Sequence, residues 1–82
     1  MAARLQFLGR LEDAAGAGEL LIALEAPQAL EVLVHRLDPA LANMVTGADM
    51  RVAINGALVS HPWETVIAPG DEIAFLPPVS GG

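Results

Sequence analysis

The stretch Met50-Arg51-Val52-Ala53-Ile54-Asn55-Gly56-Ala57-Leu58-Val59 decides how this chain folds. A two-residue type I′ turn needs positive φ at both central positions, and Asn followed by Gly tolerates that best. Asn55-Gly56 therefore reads as a hairpin turn, with Ala53 opposite Leu58 and Val52 opposite Val59. Met50, Val52 and Ile54 alternate with Arg51 and Ala53, so the strand entering the turn buries the first set.

Downstream, Pro69-Gly70-Asp71 turns the chain into a last strand, Glu72 to Leu76, with Ile73 and Phe75 inward and Ala74 and Leu76 outward. Pro77-Pro78 offers no backbone donors, and sheet pairing ends there. Upstream, Arg4 to Leu8 alternates about Leu5 and Phe7, and Glu19 to Glu25 about Leu20, Ile22 and Leu24, which predicts a second hairpin. The Ala/Gly-rich segment from Leu11 to Gly18 joins them as a turn or short helical connection. Pro27 suits a first helical position, and Leu30, Leu33, Val34 and Leu37 follow at helical spacing, so the pattern predicts one amphipathic helix from about Gln28 to Leu37. Asp38-Pro39 stops it, and Ala40 to Val45 adds a short helical turn before Gly47.

Strand, strand, helix and further strands make an α+β fold. A mixed sheet with one main helix packed on one face is the β-grasp, or ubiquitin-like, arrangement. Residues 1–76 are expected to form the domain and residues 77–82 an extended C-terminal Gly-Gly tail.

Eighty-two residues supply one core, and with 54 % apolar but only 4 % aromatic residues that core is small and aliphatic. Ten acidic residues face four arginines and no lysine, for a formal charge of −6. That balance argues against nucleic acid and anionic membranes and favours partners with basic surfaces. The absence of cysteine excludes disulfides, thiolate catalysis and cysteine metal sites. No run approaches the ~18 apolar residues that a membrane span requires, and Arg10 interrupts the apolar N-terminal stretch. A cytoplasmic location is the expectation.

The tail carries the chemistry. Pro77 and Pro78 fix φ and favour an extended path, so Pro77-Pro78-Val79-Ser80 forms a stem that projects from the body, the six tail residues reaching about 20 Å. Gly81 and Gly82 have no side chains, so an enzyme can enclose the backbone and reach the terminal carboxylate. A carboxylate is a poor electrophile, and conversion to an acyl phosphate anhydride with ATP gives it a leaving group that a sulfur nucleophile can replace. The product would be a thiocarboxylate on Gly82. By strand parity, Leu8, Leu58 and Leu76 all face away from the helix. If the first and last strands are neighbours, the three leucines make an exposed apolar patch of the kind that marks a partner surface.

The segments Val52-Ala-Ile-Asn-Gly-Ala-Leu-Val59 and Pro69-Gly-Asp-Glu-Ile-Ala-Phe-Leu-Pro-Pro-Val-Ser-Gly-Gly82 resemble the C-terminal half of molybdopterin synthase small subunits. The Leu-Pro-Pro-Val-Ser-Gly-Gly ending is the specific part, and Phe7-Leu8, Ala14-Ala15-Gly16 and the Leu30-to-Leu37 helix extend the likeness more loosely. The resemblance implies a sulfur carrier, a non-catalytic subunit and protein co-substrate. In it Gly82 is adenylated by an enzyme related to ubiquitin activators, then thiocarboxylated with sulfur from a donor protein. ATP serves the activating enzyme, and the carrier binds no cofactor of its own. The tail, Pro77 through Gly82, enters the large subunit of the synthase, and sulfur passes to cyclic pyranopterin monophosphate. Leu8, Leu58 and Leu76 fall where that family places contacts to its partners.

His61-Pro62-Trp63-Glu64-Thr65-Val66 makes a longer loop than that subunit leads one to expect, and a Trp in such a loop resembles the sulfur carrier of thiamine thiazole synthesis, the alternative reading, from which the Pro77-Pro78 stem departs. Two further readings are a ubiquitin-like modifier, which without lysine builds no lysine-linked chains of itself, and a β-grasp interaction module with a passive tail. His35 and His61 lack a second ligand at metal spacing, so no metal is assigned. Trp63 reads as an anchor of its loop against the core.

Overall fold

The computed structural model describes residues 1–78. In chain order the elements are β1 (Ala2–Phe7), α1 (Arg10–Ala15), β2 (Glu19–Ala23), β3 (Gln28–Ala29), α2 (Leu30–Val34), α3 (Pro39–Val45), β4 (Arg51–Ile54), β5 (Ala57–Leu58), a 3-10 turn (Pro62–Glu64), β6 (Val66–Ile67) and β7 (Glu72–Leu76). Five strands form one mixed sheet in the order β2-β1-β7-β4-β5, and β3 pairs with β6 in a separate two-stranded ladder. The chain's first and last strands lie side by side and parallel, Leu5 against Ile73 and Phe7 against Phe75, while every other pair in the large sheet is antiparallel. This is the β-grasp.

The Asn55-Gly56 turn forms as expected, with φ of 51° and 86°, and it sets Ala53 opposite Leu58. Val59 N–H donates to the Val52 carbonyl at 3.1 Å, which extends the predicted register past the end of β5. Asn55 does more than turn the chain. Its amide donates to Asp71 Oδ1 at 3.0 Å and its carbonyl oxygen accepts from the Glu72 N–H at 2.9 Å, while Asp71 Oδ2 accepts from the Ala68 N–H at 2.8 Å. These bonds tie the hairpin turn to the start of β7 and hold the two turns together.

The inner face of the sheet carries Ala3, Leu5, Phe7, Val52, Ile73 and Phe75, none more than 1 % exposed. The rings of Phe7 and Phe75 stack with centroids 5.7 Å apart. Leu11, Leu30, Leu33, Val34, Leu41 and Val45 from the helices close the core over them. Burial of a large apolar side chain contributes roughly 1.5–3 kcal/mol, so this single layer supplies the main driving force for folding.

The helical layer departs in detail from the sequence reading. Gln28 and Ala29 are not helical: they pair with Ile67 and Val66, and the Leu30 N–H donates to the Thr65 carbonyl at 2.9 Å. Helix α2 begins only at Leu30 and gives way after Val34 to i→i+3 bonds from the Arg36 and Leu37 amides, each 3.0 Å. Asp38 both ends that segment and caps α3, its carboxylate accepting from the Ala40 N–H at 3.1 Å with Pro39 at the first helical position. Three short helices thus share the covering role, with α3, at 7 residues, the longest.

Candidate functional site

On the outer face of the sheet the same registers bring together residues far apart in sequence. Gln6 lies against Ala74, Ala74 against Ala53, and Ala53 against Leu58, while Leu76 faces Arg51 across β4 and β7. Continuing the β1–β7 register by one residue sets Leu8 abreast of Leu76. The small alanines in the middle leave the leucines standing proud. Leu58 is 65 % exposed and Leu8 44 %, with Leu76 half-buried between them.

Leu58 and Leu76 line a groove of about 670 Å³ with Met50, Arg51, Pro77 and Pro78. Leu8 flanks it on the far side of β7. The groove therefore runs from the apolar patch to the root of the tail, and the stem leaves from β7, the middle strand of the sheet. Gly9, with φ of 57°, lets the β1–α1 turn lie close to that root: a Cβ there would stand 3.3 Å from Pro77 Cγ. Any partner seated in the groove is placed at the point where the tail begins. Of the expected tail residues, Pro77 and Pro78 are in view, while Val79, Ser80, Gly81 and Gly82 lie outside the described residues.

Charge is unevenly distributed on this face. Arg4 is held between Glu19 and Glu72, each 3.3 Å away. Arg51, exposed and lining the groove, has no ion-pair partner among the described residues. Arg51 was missed by the sequence reading, although the strand parity that sends Val52 inward also sends Arg51 outward beside Leu76. The bonds between Asn55 and Asp71 and Glu72 were also missed, because a separation of 16 positions between Asn55 and Asp71 hides their meeting from any local pattern.

Trp63 sits half-buried against the core and beside a cleft of about 480 Å³ that Val34, Leu37 and His35 also line. Its loop is anchored by the Thr65 hydroxyl donating to the His61 carbonyl at 2.8 Å. Among the described residues no cluster of three or more His, Asp or Glu is disposed to hold a metal ion, and no helix is long and apolar enough to cross a membrane.

A β-grasp domain whose middle strand runs out into a proline stem beside an apolar groove is a ubiquitin-like fold of the sulfur-carrier type. More particularly, the chain belongs to the ThiS family, whose sequence profile matches residues 5–82. Among solved structures it is similar to small archaeal modifier protein 1 from Methanosarcina acetivorans, at 30 % identity over 99 % of this chain and 96 % of that one, with a TM-score of 0.73. Its likeness to SAMP1 from Haloferax volcanii is 27 % over the whole of both chains, with a TM-score of 0.79. A chain in the complex of subunits 1 and 2 of the molybdopterin-converting factor from Helicobacter pylori is also similar in fold, at 22 % identity over 100 % of this chain and 100 % of that one, with a TM-score of 0.64. No curated protein sequence matches the chain.

Proposed function

We propose that this protein is the sulfur-carrier subunit of a molybdopterin synthase, acting in the cytoplasm as a protein co-substrate. The observation that carries the reading is the Leu-Pro-Pro-Val-Ser-Gly-Gly ending issuing from the central strand at the mouth of the Leu58–Leu76 groove. In this scheme the Gly82 carboxylate attacks the α-phosphate of ATP on a ubiquitin-activator-like enzyme, releasing pyrophosphate. A sulfide-equivalent nucleophile from a donor protein then displaces AMP and leaves a thiocarboxylate.

The domain's own contribution is positional. Leu8, Leu58 and Leu76 bind the partner's surface, and the preset φ of Pro77 and Pro78 lowers the entropy lost when the tail enters the large subunit's active site. Gly81 and Gly82 pass where a Cβ would not. Within that large subunit the sulfur moves to cyclic pyranopterin monophosphate. The fold likeness to the Helicobacter subunit complex supports a large-subunit partner.

The test is the intact mass of the protein after incubation with ATP, a sulfur source and lysate of its own host. A gain equal to sulfur replacing oxygen, localised to the C-terminal peptide and lost when Gly82 is deleted, is the expected result. No gain, while a known carrier is converted in the same lysate, would sink sulfur transfer. The likeness to small archaeal modifier protein 1 favours a second reading, in which the activated Gly82 is passed to a lysine of another protein. The same experiment separates the two, since conjugation yields host proteins in which a lysine carries the C-terminal peptide of this chain, residues 52–82 after tryptic cleavage at Arg51.

A further inference from the structure

We infer that Arg51 is a charge-pairing residue for the protein that receives the tail, and that this partner presents an Asp or Glu carboxylate over the Leu58–Leu76 groove. The inference rests on the reading of the groove as the docking face and adds to it the chemistry of the occupant.

Arg51 lies directly across the β4–β7 ladder from Leu76, one residue before the proline stem, and both line the groove. A partner that covers Leu58 and Leu76 must also cover the guanidinium. Stripping water from that group is costly unless an anion replaces it. The other arginine on this face, Arg4, already has Glu19 and Glu72 within 3.3 Å, whereas Arg51 has no carboxylate within 4.0 Å among the described residues. Asp49 lines the same groove but does not pair with it.

The chain as a whole carries −6. A uniformly basic partner surface would suit the acidic body but would repel Arg51 at the root of the tail. The complementary surface is therefore patterned, basic around the rim and acidic at one point over the groove. Such a reversed charge fixes register more than it adds affinity, because a wrongly seated partner leaves Arg51 facing a like charge. A guanidinium is suited to this, since its planar fork grips a carboxylate with two parallel N–H donors.

The experiment measures binding of the host's molybdopterin synthase large subunit by calorimetry at low and high salt, with wild-type protein, Arg51→Glu, Arg51→Lys and Asp49→Asn. Arg51→Glu is expected to raise Kd by on the order of 30-fold or more and to flatten or reverse its salt dependence, with Arg51→Lys intermediate. Asp49→Asn should bind as tightly as wild type or more tightly. Three results would overturn the inference: Arg51→Glu binding as wild type does, Asp49→Asn weakening binding as much as Arg51→Glu, or no binding by the wild-type protein. Thiocarboxylation of the Arg51→Glu variant by intact mass reports separately on the carrier reading, and a failed pairing with a normal sulfur gain leaves that reading standing.

Discussion

The two faces of the five-stranded sheet are built from alternating residues of the same strands, yet they carry different tasks. The inner face holds Leu5, Phe7, Val52, Ile73 and Phe75 and is sealed from water by three short helices. The outer face holds Arg4, Gln6, Arg51, Ala53, Leu58, Ala74 and Leu76, and no element of the described chain lies over it. On the inner face a lost side chain leaves a cavity in a close-packed core. On the outer face it changes only what another molecule finds. With the groove as the proposed docking face, stability and recognition can be altered one at a time, by choosing the parity of the substitution.

The largest expected effect is on the inner face. Phe75→Ala removes one ring of the Phe7–Phe75 stack at the centre of the sheet and should cost about 3–5 kcal/mol in urea unfolding. Small domains hold about 5–15 kcal/mol in total, so a much lower urea midpoint and a depressed Tm by circular dichroism are the expected readout. Retention of most of the wild-type stability would show that the helices re-close over the gap and would break the contrast between the faces.

Across the strand, Leu58→Asp or Leu76→Asp sharpens the same contrast. Leu58 is largely exposed, and the expected change in unfolding free energy is within about 0.5 kcal/mol. Affinity for a partner docked in the groove should fall by about tenfold to a hundredfold, as for a central interface residue. Thermal melts and partner titrations on one preparation give both numbers. A large loss of stability without loss of binding would invert the assignment of the two faces.

The smallest effect falls where the faces meet the turns. Asn55→Ala loses the bonds to Asp71 and Glu72 and puts Ala at φ of 51°, a combined cost of about 2 kcal/mol. Asn55→Gly keeps the turn geometry and loses only the side-chain bonds, so it should cost about half as much. Equal effects from the two substitutions would show that the tie between the turns, rather than positive φ, is what Asn55 supplies.

Most of the sheet was legible because its determinants are local. Asn-Gly names one turn type, the alternation of Met50, Val52 and Ile54 names a face, and Glu72 to Leu76 begins and ends where Asp71 and Pro77 say it must. The helix over 28–37 was less legible, since Leu30, Leu33, Val34 and Leu37 carry helical spacing whether or not Gln28 and Ala29 are drawn into a ladder. Val66 and Ile67 decide that, and they are nearly forty residues away along the chain. The site was legible in part. Leu8, Leu58 and Leu76 followed from parity plus the assumption that β1 and β7 are neighbours, but Arg51 as a cation with no ion-pair partner among the described residues did not.

By itself the sequence determined the strand phases, the Asn55-Gly56 hairpin and the end of pairing at Pro77, because each depends on φ preferences and a two-residue period that act within a few positions. Only the tertiary structure decided that β1 runs parallel to β7, that Leu58 and Leu76 share one groove with Arg51, and that Gly9 makes room for Pro77. Those are contacts between segments that meet only once the core has closed. Loop-closure entropy and side-chain packing set them, and neither is written in the spacing of neighbouring residues.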